Sequence, residues 1–174
     1  MLTISATGVA RTVVAVRETV SSDVDLVLAF LNTKDVEDGT DVLDDPRAWR
    51  DWVAERELGK PGTRRAVRRG RDTLRDAVAG GSGELPGTAV RVHLDASGTP
   101  TLVAGDALGR VLAAAVRLAI AGEWSRIKIC PAGDCRWAFY DRSRNRSRNW
   151  CSMQACGNRA KARQFRQRLR SAST

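Results

Sequence analysis

All four cysteines of this chain lie between positions 130 and 156, in two pairs of equal spacing. Cys130 and Cys135 form one C-x4-C pair, Cys151 and Cys156 form the other, and fifteen residues separate the two pairs. This pattern is typical of a four-thiolate metal site, because each pair offers two sulfurs from one turn and two turns complete a tetrahedron. We predict one structural Zn²⁺ per chain, bound by these four residues. Two disulfides or four unrelated buried thiols are the alternatives.

The residues around the cysteines are rich in arginine. Residues 142–149 repeat the sequence Arg-Ser-Arg-Asn twice, which predicts a flexible basic loop suited to phosphate groups. A helix is predicted beyond residue 157, with arginines on one stripe and Ala162, Phe165 and Leu169 on a neighbouring stripe that packs on the finger. The candidate nucleic-acid-binding residues are Arg142, Arg144, Arg146, Arg148, Asn158, Arg159, Lys161, Arg163, Arg166 and Arg170.

The positive charge of the chain, formally +9, is concentrated in its last third. Residues 122–174 contain thirteen Lys and Arg against three Asp and Glu, whereas residues 1–121 contain sixteen against seventeen. Four thiolates on one Zn²⁺ leave a local charge of about −2, which offsets only a small part of this excess. A basic segment joined to a near-neutral domain indicates a polyanionic partner, and we expect nucleic acid.

The sequence contains no pattern of catalytic residues that we can identify, so we expect no enzyme. The only histidine, His93, lies on the polar side of a predicted strand, and neither G-x-S-x-G nor G-x-x-x-x-G-K-[ST] occurs. No apolar run approaches the roughly 20 residues of a membrane-spanning helix, and the first residues are a poor secretory signal. We expect a cytoplasmic protein with reduced thiols and no membrane partner.

Hydrophobic periodicity and capping residues predict a mostly helical domain over residues 1–122. One or two short strands are predicted within the first twenty residues, around Thr12–Val16, and the acidic stretch Asp35–Asp45 is predicted to be a solvated loop. An antiparallel hairpin is predicted to pair Val90–Leu94, a half-buried strand, with Thr101–Ala104. Four helices are predicted: one capped by Ser22 and ending near Asn32, one that begins at Pro46 and ends before Gly59, one from about Thr63 to Ala79, and one capped by Asp106 and ended by Gly122. The six arginines of the third helix are interpreted as a solvated face opposite the acidic loops.

Residues 123–174 are predicted to form a zinc-ribbon-like finger with four cysteine ligands, followed by a basic helix. Residues 126–129 and 136–139 alternate in polarity, so a two-stranded hairpin is expected with a sulfur at each end of its turn. Trp137, Phe139 and Trp150 are expected to pack around the metal. Because so small a unit buries little apolar surface, the metal must supply much of its folding free energy, which reaches about 10–16 kcal/mol in zinc-finger peptides. The predicted fold class is α+β.

The residues of this finger resemble a known family. Cys156-Gly157-Asn158-Arg159 is the signature from which the CGNR zinc-finger proteins take their name, and residues 124–168 resemble that finger throughout. The resemblance implies an N-terminal domain of the stress-induced-regulator type, called ABATE, and the segment from Asp25-Leu26 to Asn32-Thr33 is similar to its opening motif. It further implies a bacterial transcription regulator with a zinc-dependent DNA-binding finger.

Three functional hypotheses follow. The leading one is a DNA-binding regulator whose arginines hold the phosphate backbone of duplex DNA, with Asn158, Arg159 and Arg163 assigned to base edges. The second is an RNA- or ribosome-associated zinc protein that uses the same arginines. The third is a redox sensor whose thiolates release zinc on oxidation. Two further partners remain open. One is an unknown small-molecule effector that binds between the N-terminal helices, and the other is a second copy of the chain in a homodimer.

Overall fold

The computed structural model describes the backbone of residues 6–172 and the side chains of residues 19–171. Within these residues the chain forms five α-helices: α1 (Ala6–Leu31), α2 (Pro46–Glu55), α3 (Arg64–Val78), α4 (Ala107–Ile120) and α5 (Asn158–Ala172). The strands pair as three antiparallel hairpins: β1 (Lys34–Asp35) with β2 (Thr40–Asp41), β3 (Val90–Leu94) with β4 (Pro100–Ala104), and β5 (Ile127–Ile129) with β6 (Ala138–Tyr140). The predicted α+β class with a mostly helical first part is confirmed.

The strands predicted within the first twenty residues are wrong, because α1 begins at Ala6. Valines recur in this region every three or four residues, at Val13, Val16, Val20, Val24 and Val27. The apolar stripe of the predicted helix therefore continues back through the segment, and it outweighs the slightly low helix propensity of β-branched residues. Ser22, predicted to cap the helix, lies inside it and donates to the carbonyl of Thr19 at 2.9 Å. The part of the strand prediction that falls on residues 1–5 lies outside the described residues.

The predicted caps of α2 and α4 are confirmed. Asp45 accepts a hydrogen bond from the Arg47 amide at 2.7 Å, with Pro46 at the first helical position. Asp106 accepts from the Gly109 amide at 2.8 Å. Both carboxylates satisfy first-turn amides that have no partner inside the helix, so they fix where each helix begins.

Aromatic side chains of α1 and α2 form the centre of the main core. Trp49 and Trp52 stack with ring centroids 5.0 Å apart, and Phe30 packs against both rings at 6.4 and 6.2 Å. The indole nitrogen of Trp49 donates to the carbonyl of Pro61 at 3.0 Å, which satisfies the one polar atom of a buried ring. Apolar residues of α3 and α4 complete this core.

The acidic stretch Asp35–Asp45 is not a solvated loop, and this part of the prediction is wrong. The stretch contains β2 and the last residue of β1, and Leu43 is completely buried. Arg71 of α3 donates to both carboxylate oxygens of Asp41, at 2.6 and 2.8 Å, and Arg68 donates to the same group at 3.0 Å. The arginines of α3 face the acidic loop as interpreted, but Arg71 is buried because its charge is paired and hydrogen-bonded.

The hairpin of β3 and β4 forms where it is predicted, with Val90 opposite Ala104. Its outer half is not buried, contrary to the prediction of a half-buried strand. Val92 and Leu94 are 70% and 59% exposed. The hairpin meets α4 at its base, where Ala104 lies against Gly109, so the outer residues extend past the core.

The hairpin of β5 and β6 lies between the main core and the cysteines. Ile127, Ile129 and Ala138 belong to the main core, whereas Phe139 packs with the cysteine cluster. The side chain of Asn32 fixes this arrangement: its Nδ2 donates to the carbonyl of Ala138 at 2.9 Å, and its Oδ1 accepts from the same residue's amide at 2.8 Å. The finger hairpin is therefore attached to the N-terminal helices by apolar packing and by hydrogen bonds.

A second polar link between the two parts comes from α3. Arg75 is buried, and it donates to the carbonyl of Leu31 at 2.6 Å and to the carbonyl of Arg136 at 2.7 Å. One guanidinium thus joins the end of α1 to the turn that precedes β6. No signal in the sequence distinguishes this arginine from its exposed neighbours in α3.

The helix α5 leaves the finger without packing its apolar stripe. Ala162, Phe165 and Leu169 are exposed, the last two by 63% and 54%, so their predicted contact with the finger is wrong. The helix contacts mainly the turn at residues 153–157, from which it projects. Among the described helices, α5 included, we find none that combines the length and the apolar character needed to span a bilayer.

Candidate metal centre and its basic surroundings

The four cysteines come together as their spacing predicts. Their Sγ atoms all lie within 4.8 Å of one another. The Sγ atoms of Cys135 and Cys151 are 3.5 Å apart, and those of Cys151 and Cys156 are 3.6 Å apart. Four thiolates at about 2.3 Å from a Zn²⁺ form a tetrahedron with edges of about 3.8 Å, so this donor set fits a zinc ion. All four residues are free thiols, not disulfides.

The first pair of sulfurs is delivered by the turn between β5 and β6. The amide of Cys130 donates to the carbonyl of Trp137 at 2.8 Å, which extends the hairpin by one pair beyond β5. Inside the turn, the amides of Cys135 and Arg136 both donate to the carbonyl of Ala132 at 3.0 Å. Both thiols therefore lie at the end of a rigid hairpin and are buried.

The second pair is placed by a single π-helical turn, Met153–Gly157, which carries Cys156, begins two residues after Cys151 and leads directly into α5. The hydroxyl of Ser152 caps this turn by accepting from the Ala155 amide at 3.2 Å. A Cβ at Gly157 would lie 2.8 Å from the Met153 sulfur and 3.4 Å from Trp150. Glycine lets these two side chains close over the turn, so the start of α5 is fixed relative to the sulfurs.

Two of the three aromatic residues expected around the metal are placed there. Phe139 is buried in the cysteine cluster and Trp150 packs against it, but Trp137 is 37% exposed. Arg136 adopts a left-handed conformation with φ of 56°, and β6 begins only at Ala138. Trp137 therefore does not share the side-to-side alternation of the strand, and this part of the prediction is wrong.

The thiols differ in acidity because their surroundings differ. Burial raises the pKa of Cys135 to about 11, and burial together with the neighbouring thiols raises the pKa of Cys151 as well. Burial alone would also raise the pKa of Cys156, but a hydrogen bond from Arg159 lowers it below the ordinary value. A metal ion bound by these sulfurs displaces their protons, so binding of the metal is expected to strengthen as the pH rises.

Arg159 joins the sulfur cluster to the first part of the chain. Its Nη2 donates to Cys156 Sγ at 3.2 Å, and its Nη1 donates to Glu37 Oε1 at 2.9 Å and lies 3.8 Å from Asp134 Oδ2. The hydrogen bond to Cys156 and then the one to Glu37 raise the pKa of Arg159. The permanent positive charge is thus held beside the sulfurs, where it offsets part of the negative charge of four thiolates.

A buried carboxylate organises the arginine-rich loop. Asp141 is completely buried and accepts from Lys128 Nζ at 2.7 Å and from the amides of Ser143 and Arg148, each at 2.9 Å. Burial alone would raise the pKa of Asp141, but these hydrogen bonds, the one from Lys128 first, hold it well below its usual range. Lys128 also donates to the carbonyls of Arg146 and Arg148. The loop backbone is held at several points, contrary to the predicted flexible loop.

One of the loop arginines supports the finger itself. The guanidinium of Arg148 donates to the carbonyls of Trp150 and Cys151, and it lies over the ring of Phe139 at 5.1 Å from the centroid. This arginine therefore connects the loop to the second cysteine pair. Arg146 donates to the hydroxyl of Ser125 at 2.7 Å.

The other residues predicted to bind nucleic acid differ in how far they are engaged. Arg163 lies 3.5 Å from Asp134, and Arg159 is bound by the groups described above. The exposed members of the predicted set are Arg142, Arg144, Arg146, Arg148, Asn158, Lys161, Arg163, Arg166 and Arg170. They occupy two places, the loop after β6 and the helix after the second cysteine pair, and the second cysteine pair lies between these two segments in the sequence.

Several organising residues escape sequence reasoning. Asp141 carries a weak signal, since it is a single acid at the start of an arginine run, but Lys128 and Glu37 carry none. Their partners lie 13 and 122 positions away, and neither periodicity nor local spacing reports such contacts.

Comparison with known families agrees with the sequence resemblance. The family ABATE, described as "Putative stress-induced transcription regulator", matches residues 24–124, which is more than half of the chain. The CGNR zinc finger matches residues 126–169. No curated protein matches the chain. The chain therefore belongs to the ABATE family and carries a CGNR zinc finger after its ABATE domain.

Proposed function

We propose that this protein is a DNA-binding transcription regulator whose finger presents arginines to the phosphate backbone of duplex DNA. The observation that carries the proposal is the position of its charges. Each acidic residue of the basic segment has a partner within the chain: Glu123 with Tyr140 and Arg126, Asp134 with Arg159 and Arg163, and Asp141 with Lys128. The exposed arginines of the loop and of α5 outnumber these three acidic residues, and the net positive charge that results suits a polyanion.

The proposed metal is one structural Zn²⁺ per chain, with Cys130, Cys135, Cys151 and Cys156 as ligands. Four protein ligands leave no open position for a substrate or an activated water, so we assign the ion no catalytic role and the protein no enzymatic activity. The ion fixes the hairpin turn and the start of α5 relative to each other. A regulator of this kind acts on chromosomal DNA, and we place it in the bacterial cytoplasm, with residues 1–122 as the regulatory domain.

The redox-sensor hypothesis receives less support from the site. Cys130, Cys135 and Cys156 are buried, and oxidants react with accessible thiolates of low pKa. The RNA hypothesis uses the same arginines and is decided by competition. If structured RNA displaces the protein from duplex DNA at equal nucleotide concentration, RNA is the preferred partner and the DNA proposal is wrong.

Binding to duplex DNA is expected to weaken steeply with salt. If about six phosphates are neutralised, log K falls with log[salt] at a slope of roughly −5. Fluorescence anisotropy of the full-length zinc-loaded protein with a labelled mixed-sequence duplex measures this slope. Absent binding, or binding that does not depend on salt, would contradict the proposal.

A single exposed arginine tests whether the loop contributes to this slope. Arg144→Ala is expected to weaken binding similarly on all sequences and to reduce the magnitude of the slope by about 1, because one phosphate contact is lost. Arg91→Ala, which removes an exposed arginine of β3, is the matched control and is expected to leave the slope unchanged. Equal effects of the two substitutions would mean that only the net charge matters.

A further inference from the structure

Glu37 is presented to the finger by a turn with a fixed backbone. The turn joins β1 to β2, and Asp35 Oδ1 accepts from the amides of Glu37 at 2.9 Å and of Asp38 at 3.1 Å. At the base of this hairpin, Asp41 is held by the buried guanidinium of Arg71. The position of Glu37 is therefore set by the N-terminal core.

The carboxylate of Glu37 reaches the first turn of α5. It accepts from Arg159 Nη1 at 2.9 Å, across 122 positions of sequence. The Glu37 and Arg159 side chains are 53% and 38% exposed, so solvent ions and larger anions have access to the pair. A competing anion can therefore displace this contact, because exposed ion pairs contribute little free energy and are screened by salt.

The place that Glu37 occupies is one that suits a phosphate. The helix α5 carries cations and no acidic residue, so it presents positive charge around Arg159. Glu37 and Asp134 supply two carboxylates to Arg159 at this turn. A phosphate group that approaches the start of α5 therefore meets an arginine that is already paired and a negative charge beside it.

We propose that the ABATE domain restrains nucleic-acid binding by its own finger, through the contact of Glu37 with Arg159. The inference rests on the proposed DNA-binding function and adds its regulation. A polyanion must displace Glu37 to pair with Arg159, so any change that moves the β1–β2 turn alters the affinity of the finger. The N-terminal signal is then transmitted through a single ion pair at the base of α5.

The test compares Glu37→Gln with Asp38→Asn in the full-length zinc-loaded protein. Both substitutions remove one negative charge from the same turn, but Asp38 is not among the residues that the described structure pairs with Arg159. Anisotropy with a labelled duplex at one fixed salt concentration gives the affinities. We expect Glu37→Gln to raise the association constant about fivefold and Asp38→Asn to change it by less than about twofold. Thermal unfolding establishes that both variants are folded.

The possible results distinguish a failure of the Glu37 restraint from a failure of the proposed DNA binding. If the unchanged protein binds DNA but Glu37→Gln binds equally or more weakly, the restraint is overturned and the DNA-binding function stands. An equal gain for both variants also overturns it, because the effect is then one of general charge. If none of the three proteins binds duplex DNA at any salt concentration, the proposed function fails and the inference fails with it. Binding by Glu37→Gln alone supports both.

Discussion

Removal of zinc from the full-length protein is expected to abolish nucleic-acid binding and to unfold the segment from the second cysteine pair to the end of α5, while the N-terminal helices stay folded. A structural zinc site contributes about 10–16 kcal/mol in zinc-finger peptides, and no other interaction in the described part of the finger approaches this magnitude. The helix α5 contacts mainly the turn that carries Cys156, and an isolated helix of its length is marginal in water. Without the metal, α5 therefore loses both its position and its helical structure.

The boundary of this unfolding follows from the packing of the finger hairpin. Ile127, Ile129 and Ala138 belong to the main core, and Asn32 bonds both polar groups of the Ala138 backbone. We expect the hairpin, and the loop that Asp141 and Lys128 hold to it, to keep their protection against hydrogen exchange in the zinc-free protein, while the amides of residues 151–172 exchange rapidly. Circular dichroism on chelation should show the loss of about one helix, and its return with added zinc is the control.

Single substitutions test whether the four sulfurs act as one site. Cys130→Ser and Cys156→Ser are expected to lose zinc and DNA binding alike, although one thiol lies on the hairpin and the other on the π-helical turn. A zinc content of one per chain in either variant would contradict a single four-ligand centre. Rapid exchange of the whole chain on chelation would instead show that the hairpin is not held by the main core.

The sequence predicts those features that depend on short spacing. Two C-x4-C pairs predict the sulfur cluster, Asp45 and Asp106 predict two helix starts, and the alternation at 90–94 predicts a strand. Each of these signals lies within a few residues of the structure that it specifies. The family resemblance then supplies the order of the two domains.

Features that depend on contacts between distant segments are not predictable in this way. The six arginines of α3 all belong to one basic run in the sequence, yet Arg71 and Arg75 are buried and the other four arginines are not. Burial of a guanidinium requires a carboxylate or carbonyl partner in the right place, and those partners come from β2, α1 and the finger. The exposed apolar stripe of α5 is the converse case, because periodicity indicates an apolar face but not whether another element covers it.

Arg71→Met is expected to lower the free energy of unfolding by about 3 kcal/mol, because it leaves Asp41 buried with Arg68 as its remaining ionic partner. Arg71 is completely buried, and it also donates to Thr33 Oγ1 at 3.2 Å. Urea denaturation of the full-length protein measures the change. Arg69→Met, an exposed arginine of the same helix, is the matched control and is expected to change stability by less than about 0.5 kcal/mol.

The pH dependence of this difference identifies its source. Burial alone would raise the pKa of Asp41, but hydrogen bonds from Arg71 and the Leu43 amide lower it below 3.8. A carboxylate with a lowered pKa stabilises the fold above its unfolded pKa, and this stabilisation is lost as the pH falls through the lower folded pKa. The stability difference between the unchanged protein and Arg71→Met should therefore be constant near neutral pH and shrink below about pH 4. A difference that stays constant into strong acid would mean that Arg71 stabilises the fold by packing, not by its charge.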